Sequence, residues 1–96
     1  MAKNYEMVYI LSPALGDEDL QAARERIQGI VSANAEINDV QDWGRKRLAY
    51  EINDFKEGAY SLVTFSAEAE APIEIERLMR IQADVLRYLI VRQEEA

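Results

Sequence analysis

The chain has 96 residues, of which 49% are hydrophobic, and its formal net charge is −7 at pH 7. This length and composition predict one domain over residues 1–96 with a modest core. The absence of cysteine and histidine excludes a disulfide framework, a thiolate metal site and the commonest general base, so we expect no enzyme active site, no cofactor and no metal centre.

Charge is unevenly distributed along this acidic chain. Seven of the eleven cations lie in two segments, Arg45–Arg47 and Arg77–Arg92. The net charge argues against nucleic-acid binding through bulk charge, but a basic stripe would form on one face if these segments meet in space. The N-terminus has no apolar signal-peptide core and no apolar run reaches membrane-spanning length, so we expect a cytoplasmic protein.

The first predicted element is a central β-strand over Lys3–Leu11, because aromatic and β-branched residues occupy both of its alternating faces. A helix follows, beginning at Gly16 or Asp17 and running through Ala33, and we expect Asn34 to end it in a left-handed conformation. Its apolar stripe comprises Leu20, Ala23, Ile27, Ile30 and Val31.

A long strand is predicted next, from Ile37 to near Ile52, with a bulge or bend at Gly44. A turn over residues 53–58 leads into a third strand over Tyr60–Ala67. The short connection predicts an antiparallel hairpin. In the third strand, Val63 and Phe65 form one face, and Tyr60 and Leu62 form the other.

The second helix is predicted to begin at Pro72, with Ala71 before it, because proline is favoured in the first helical turn. Its inner stripe comprises Ile75, Leu78 and Met79. A last strand covers Val85–Arg92, and the sequence does not decide which of its two faces points inward. Residues 93–96 form a short acidic tail.

The order strand, helix, strand, strand, helix, strand is typical of an α+β, ferredoxin-like split βαβ sandwich. Right-handed crossovers place both helices on one face of a four-stranded antiparallel sheet. The opposite face is then uncovered, and an apolar uncovered face often marks a partner site. That face is predicted to carry Val8, Ile10, Tyr60 and Leu62, with Arg45, Arg47 and Arg87 at its margins.

The segment from Trp43 to Tyr50 combines three consecutive cations with a tryptophan and a glycine. Strand alternation places Lys46 and Leu48 on one face, buried from Leu48 onward, and Trp43, Arg45 and Arg47 on the other. Guanidinium and indole groups are suited to phosphate and base contacts. The residues alone equally allow a charged strand edge that discourages aggregation.

Residues spread over the whole chain carry a resemblance to a known family. They are Tyr5-Glu6, Ile10-Leu11 and Pro13, Trp43 to Tyr50 with Ile52, Gly58 and Tyr60, and Val85 to Tyr88 with Val91-Arg92. Together they resemble the bacterial small-subunit ribosomal protein S-six (S6) family. The tryptophan-glycine-basic-leucine-alanine-tyrosine segment is the most specific part of this resemblance.

The resemblance implies a structural constituent of the small ribosomal subunit with no catalytic role. It implies binding to the central domain of small-subunit ribosomal RNA as a heterodimer with ribosomal protein S-eighteen (S18), and no membrane or small-molecule partner. Carried over by motif, the RNA-binding candidates are Arg45, Lys46, Arg47, Arg87 and Arg92. The candidates for contact with the protein partner are Val8, Ile10, Tyr60 and Leu62.

Other functions of the same fold are weighed against this one. An acylphosphatase-type hydrolase needs an arginine or a glycine cluster in the loop after the first strand, and Ser12–Gly16 has neither. An RNA-recognition motif needs several stacked aromatic residues on the uncovered face, where only Tyr60 fits. A regulatory or homodimerising ferredoxin-like module without RNA binding remains the alternative, although it would not require the cationic segment.

Overall fold

The computed structural model describes residues 2–52 and 55–93. Its elements are β1 (Lys3–Leu11), α1 (Asp17–Asn34), β2 (Glu36–Ile52), β3 (Phe55–Ala67), α2 (Ala71–Arg80) and β4 (Val85–Arg92). The strands form one antiparallel sheet in the order β2-β3-β1-β4. The predicted ferredoxin-like split βαβ fold is therefore confirmed.

The core lies between the helices and one face of the sheet. Alternate residues of β1 and β3 point into it, and Met7, Tyr9 and Phe65 are fully buried there. The helices contribute Ile27 from α1 and Ile75 from α2, both fully buried. This burial is the main stabilising term of a domain of this size.

Two of the predicted element ends differ in the structure. The third strand begins at Phe55, so the predicted turn over 53–58 is wrong for residues 56–58, and residues 53–54 lie outside the described part. Asn34 ends α1 through its side-chain amide, which donates to the Ile30 carbonyl oxygen at 3.0 Å. The next residue, Ala35, is extended, with φ −157°, so no left-handed cap is used. The proposed tail residues 94–96 also lie outside the described part.

The register of β4 is settled by a bulge at its start. Val85 pairs with Leu11, but Arg87 pairs with the adjacent Ile10, so Leu86 is the additional residue. From that point Tyr88 faces the core, opposite Tyr9. Arg87, Leu89 and Val91 therefore point to the face away from the helices.

A small apolar contact forms on that second face, where β2 and β3 extend beyond the end of β1. Ile10 and Leu48 both approach Gly58, and each side chain is only 8% exposed. A Cβ atom at position 58 would clash with the Cγ2 methyl of Ile10 and would lie 3.4 Å from the Leu11 carbonyl oxygen. Position 58 therefore has no space for a side chain.

Neither helix in the described part of the chain is long and apolar enough to cross a membrane.

We expect Gly58→Ala to lower the free energy of unfolding by about 1–3 kcal/mol, the usual cost of overpacking. The obstructing methyl belongs to β-branched Ile10, which cannot easily rotate away. The matched control is Gly29→Ala, in α1, where the new methyl would meet nothing within 4 Å. There we expect a gain of about 0.5–1 kcal/mol. Urea unfolding measures both changes, and equal effects would contradict the crowding of Gly58.

Candidate nucleic-acid and partner interface

A β-bulge shapes edge strand β2 immediately before its three consecutive cations. Asp42 pairs with Ser61 and Gly44 pairs with Tyr60, so Trp43 is the additional residue. Gly44 has φ +73°, in the left-handed region that favours glycine. The Gly44 amide donates to Oδ1 of Asp42 at 2.9 Å. The bulge predicted at Gly44 is therefore confirmed.

The basic segment, defined as Arg45, Lys46 and Arg47, distributes its side chains over both faces of β2. Arg45 pairs with Ala59, a core-facing residue, so Arg45 and Arg47 lie on the helix side of the sheet. Lys46 pairs with Gly58 and lies on the uncovered side.

Placing Arg45 and Arg47 at the margin of the uncovered face was therefore wrong. The prediction assumed that a buried Leu48 would point toward the core and leave Arg45 and Arg47 on the opposite side. The burial of Leu48 is confirmed, but the assumed side of the sheet is wrong. Leu48 is buried against Gly58 and Ile10 on the uncovered side of the sheet, and not in the core under the helices.

Arg45 binds backbone atoms of its own chain. Its two terminal guanidinium nitrogens donate to the carbonyl oxygens of Pro13, at 2.8 Å, and Leu15, at 3.1 Å. These bonds connect β2 to the loop between β1 and α1. Charge-assisted hydrogen bonds of this kind are stronger than neutral ones, so Arg45 anchors the segment as well as carrying charge.

Trp43 and Lys46 form a second local cluster on the uncovered side. The ammonium of Lys46 lies 5.1 Å from the centroid of the Trp43 ring, within cation–π range. The indole N–H donates to Oε1 of Gln41 at 2.9 Å, and the indole remains 40% exposed. Trp43 therefore accompanies Lys46, and not Arg45 and Arg47 as strand alternation had predicted, because the bulge interrupts the alternation.

The other two RNA-binding candidates lie on the opposite edge strand. Gly44, Tyr60, Ile10 and Arg87 form one row across the four strands. With strands roughly 4.8 Å apart, the Arg87 backbone lies about 14 Å from the basic segment. Arg92 is roughly 17 Å further along β4 and on the helix side. The structure thus places Arg87 level with the basic segment but does not bring Arg92 near it.

The uncovered side of the sheet carries an apolar surface, which we call the open face. Its members are Val8, Tyr60, Leu62, Leu89 and Val91. The first three are half-buried, whereas Leu89 is 62% and Val91 is 44% exposed. Ile10, predicted as a fourth contact residue for a partner, is instead covered by its contacts at Gly58.

Sequence reasoning missed two groups of residues. Leu89 and Val91 were not assigned to the open face because an unpredicted bulge at Leu86 decides their orientation. The second group is a polar cluster under β2, in which Arg24 of α1 donates to Asp42 at 3.1 Å and to Ser61 at 3.4 Å. No sequence signal pairs a helix residue with a strand residue at such a separation.

Buried Tyr9 lies beside this polar cluster. Its hydroxyl has no hydrogen-bond partner of suitable geometry within the described residues. Burial raises the pKa of Tyr9, while the Ser61 hydroxyl and the Arg24 charge lower it in part. Neutral Tyr9 is therefore the form that the fold accommodates.

These features define a class of protein. A small ferredoxin-like domain with an apolar open face and cations on a strand edge has surface features that are typical of domains that bind macromolecules. No group of carboxylates suited to a metal ion occurs within residues 2–52 and 55–93.

Comparison with known proteins identifies the family. The family model described as Ribosomal protein S6 matches residues 4–92, and the chain belongs to that family. Its members are structural proteins of the small ribosomal subunit and not enzymes. The fold is similar to the crystal structure of 30S ribosomal protein S6 from Thermotoga maritima, with a TM-score of 0.92 and 26% sequence identity. That match covers 97% of this chain and 89% of the other.

The raised pKa of Tyr9 predicts a specific loss of stability at alkaline pH. Above about pH 10 the unfolded chain releases the tyrosine proton while the folded protein retains it, so the free energy of unfolding falls with rising pH. One proton contributes up to about 1.4 kcal/mol per pH unit. Tyr9→Phe should change stability by less than about 1 kcal/mol at pH 7 and reduce the decline between pH 10 and 11. Urea unfolding across that range tests this, and parallel curves for both proteins would contradict it.

Proposed function

We propose that this protein binds the central domain of small-subunit ribosomal RNA as a heterodimer with ribosomal protein S18, within the cytoplasmic ribosome of a bacterium. The open face would contact the protein partner, and the basic segment would contact RNA. The single observation that carries the proposal is the position of the apolar open face directly beside Lys46 and Trp43. Family membership supports a ribosomal role for both surfaces.

The open face supports contact with a protein partner. Leu62, Val8 and Leu89 form one row across three adjacent strands, so the apolar surface is continuous and not a set of isolated side chains. Continuous exposed apolar surface on a small domain is typical of an interface. Aromatic Tyr60 lies one row further toward the basic segment, where it can combine apolar contact with a hydroxyl hydrogen bond.

The net charge of this chain supports RNA binding together with a second, basic protein. At −7, this chain is repelled by phosphate at long range, and only local cations can attract RNA. A basic partner would supply the missing phosphate neutralisation. Binding of the two proteins to RNA should then be cooperative, because each improves the electrostatics that the other meets.

The chemistry of the basic segment suits structured RNA. Lys46 and Arg47 are exposed, and Lys46 lies over an exposed indole ring. Junctions in RNA present phosphates together with unstacked bases, and cations paired with aromatic rings can contact both. Arg87 lies level with the segment across the sheet and would extend the contact toward β4.

The direct test uses an RNA fragment containing the central-domain junction. We expect weak binding by this protein alone, tight binding when S18 is added, and sedimentation of both proteins with the RNA. Equally tight binding by the isolated protein would contradict the cooperative part of the proposal. No binding by the mixture would overturn the proposal itself.

A second candidate is self-association through the open face, favoured by the exposure of Leu89 and Val91 on edge strand β4. Two copies of a chain with net charge −7 repel each other, which disfavours this pairing at low salt. Sedimentation of the isolated protein in low and high salt measures its oligomeric state and so distinguishes self-association from heterodimer formation with S18. A dimer that persists at low salt and excludes S18 would favour self-association.

Replacing Lys46 and Arg47 together with alanine should weaken RNA assembly and flatten its salt dependence. Loss of two phosphate contacts lowers the log–log salt slope by about 1.4–1.8 units. The control variant replaces Arg77 and Arg80, which pair with Glu74 and Glu76 on the outer face of α2. Both variants lose two cations, but only the first should change the slope. Arg45 is omitted because its loss would also remove two backbone contacts.

Leu62→Asp should prevent heterodimer formation while the isolated protein remains folded. The substitution places a charge in the middle of the open face, where it would be desolvated by the partner. The control is Ile73→Asp, the same kind of change at an exposed site on α2, where partner binding should persist. Titration calorimetry with S18 measures binding, and unchanged affinity of the Leu62→Asp variant would place the partner elsewhere.

A further inference from the structure

The Asp42 carboxylate joins three structural elements beneath the basic segment. Its Oδ1 accepts the Gly44 amide at 2.9 Å, across the bulge in β2. The same oxygen accepts an Arg24 guanidinium nitrogen of α1 at 3.1 Å. The Nε atom of Arg24 also donates to the Ser61 hydroxyl oxygen of β3 at 3.4 Å. The bulge is therefore tied both to the helix layer and to the neighbouring strand.

This ion pair differs from those of Arg26, Arg77 and Arg80 in the exposure of its arginine. The Arg24 side chain is only 14% exposed, whereas the arginines of the pairs with Asp84, Glu74 and Glu76 are 47–68% exposed. The Asp42 side chain is 51% exposed, so the burial of this pair is on the arginine side. Exposed pairs contribute little because solvent screens them and their side chains are mobile. The largely buried Arg24 side chain has two protein acceptors, Asp42 and Ser61, and so holds a defined position.

The position of the bulge decides which cations face which side of the sheet. Side chains alternate along a strand, so a shift of pairing by one residue exchanges its two faces. If Trp43 entered the regular ladder, Lys46 would move to the helix side and Arg45 and Arg47 to the open side. The present bulge keeps Lys46 beside Trp43 on the open side and lets Arg45 reach the Pro13 and Leu15 carbonyls.

We propose that Asp42, held by Arg24, is a positioning residue for RNA binding: it fixes the bulge and so determines the face on which each cation of the basic segment is presented. This inference rests on the proposed function of the segment. Asp42 would contact no RNA itself. Its effect would pass through Gly44 and the register of β2.

The direction in which Asp42→Asn changes RNA affinity distinguishes a positioning role from a simple effect of charge. Asp42→Asn removes a negative charge close to the basic segment, so electrostatics alone would tighten RNA binding. Positioning predicts the reverse, a loss of about tenfold in affinity for RNA in the presence of S18, because the charged bond to Arg24 is lost. Arg24→Met should give a similar loss, and the double variant should lose no more than the worse single variant.

Matched controls are available on the same helix. Arg26 of α1 bonds to Asp84 at 2.9 Å, next to the start of β4 and away from the bulge. Asp84→Asn and Arg26→Met change the charge by the same amounts as Asp42→Asn and Arg24→Met. We expect these controls to retain the affinity of the unmodified protein within about twofold.

Trp43, the only tryptophan in the sequence, provides a readout that needs no RNA. In Asp42→Asn and Arg24→Met we expect changed Trp43 emission and faster acrylamide quenching, because the indole loses its fixed place beside Lys46 and Gln41. Urea unfolding of each variant confirms that the protein is folded during the measurement.

The outcomes of these experiments are distinct. Unchanged Trp43 emission in both variants, or RNA affinity equal to that of the Asp84→Asn and Arg26→Met controls, would overturn the positioning role. Failure of the unmodified protein with S18 to bind RNA would instead overturn the proposed function. Altered emission together with reduced RNA affinity, confined to the Asp42 and Arg24 variants, would support the inference.

Discussion

The burial of a single sheet face under both helices is the constraint on which the rest of this structure depends. Residues of α1 and α2 belong to one core cluster with the inward residues of β1 and β3, so both helices lie on the same side of the sheet. Among the residues whose burial is described, the large fully buried side chains, from Met7 and Tyr9 to Phe65, belong to one layer. The second sheet face has no covering element in the described part of the chain, and apart from Ile10 and Leu48 its apolar residues are half-buried or exposed.

The three consecutive cations of β2 have different structural surroundings, although they are adjacent in the sequence. Arg45 is used internally, since it joins the strand to the loop before α1. Lys46 lies against an indole on the open side, and Arg47 extends from the helix side. A run of like charges in the sequence thus becomes three groups with different surroundings. The Trp43 bulge is the feature that separates them.

The sequence predicted the element order, the core stripe of α1, the buried Ile75 and Met79 of α2, and the faces of β1 and β3, because regular periodicity encodes them directly. Leu78, also assigned to the stripe of α2, is not part of the core. It failed where one additional residue alters that periodicity. The bulges at Trp43 and Leu86 exchanged the faces of the residues around them. Burial of Leu48 was also predicted, but its location beside Ile10 and Gly58 depends on how far the β2–β3 hairpin extends beyond β1. Contacts between distant elements, such as Arg24 with Asp42, leave no local pattern.

The two edges of the sheet carry different protection against unintended pairing. Edge strand β2 is interrupted by bulges and cations, features that prevent another strand from aligning with it. Edge strand β4 is regular from Arg87 to Arg92 and exposes Leu89 and Val91. For copies of this chain outside the ribosomal subunit, the net charge of −7 favours solubility. Mutual electrostatic repulsion between such copies opposes pairing along the β4 edge.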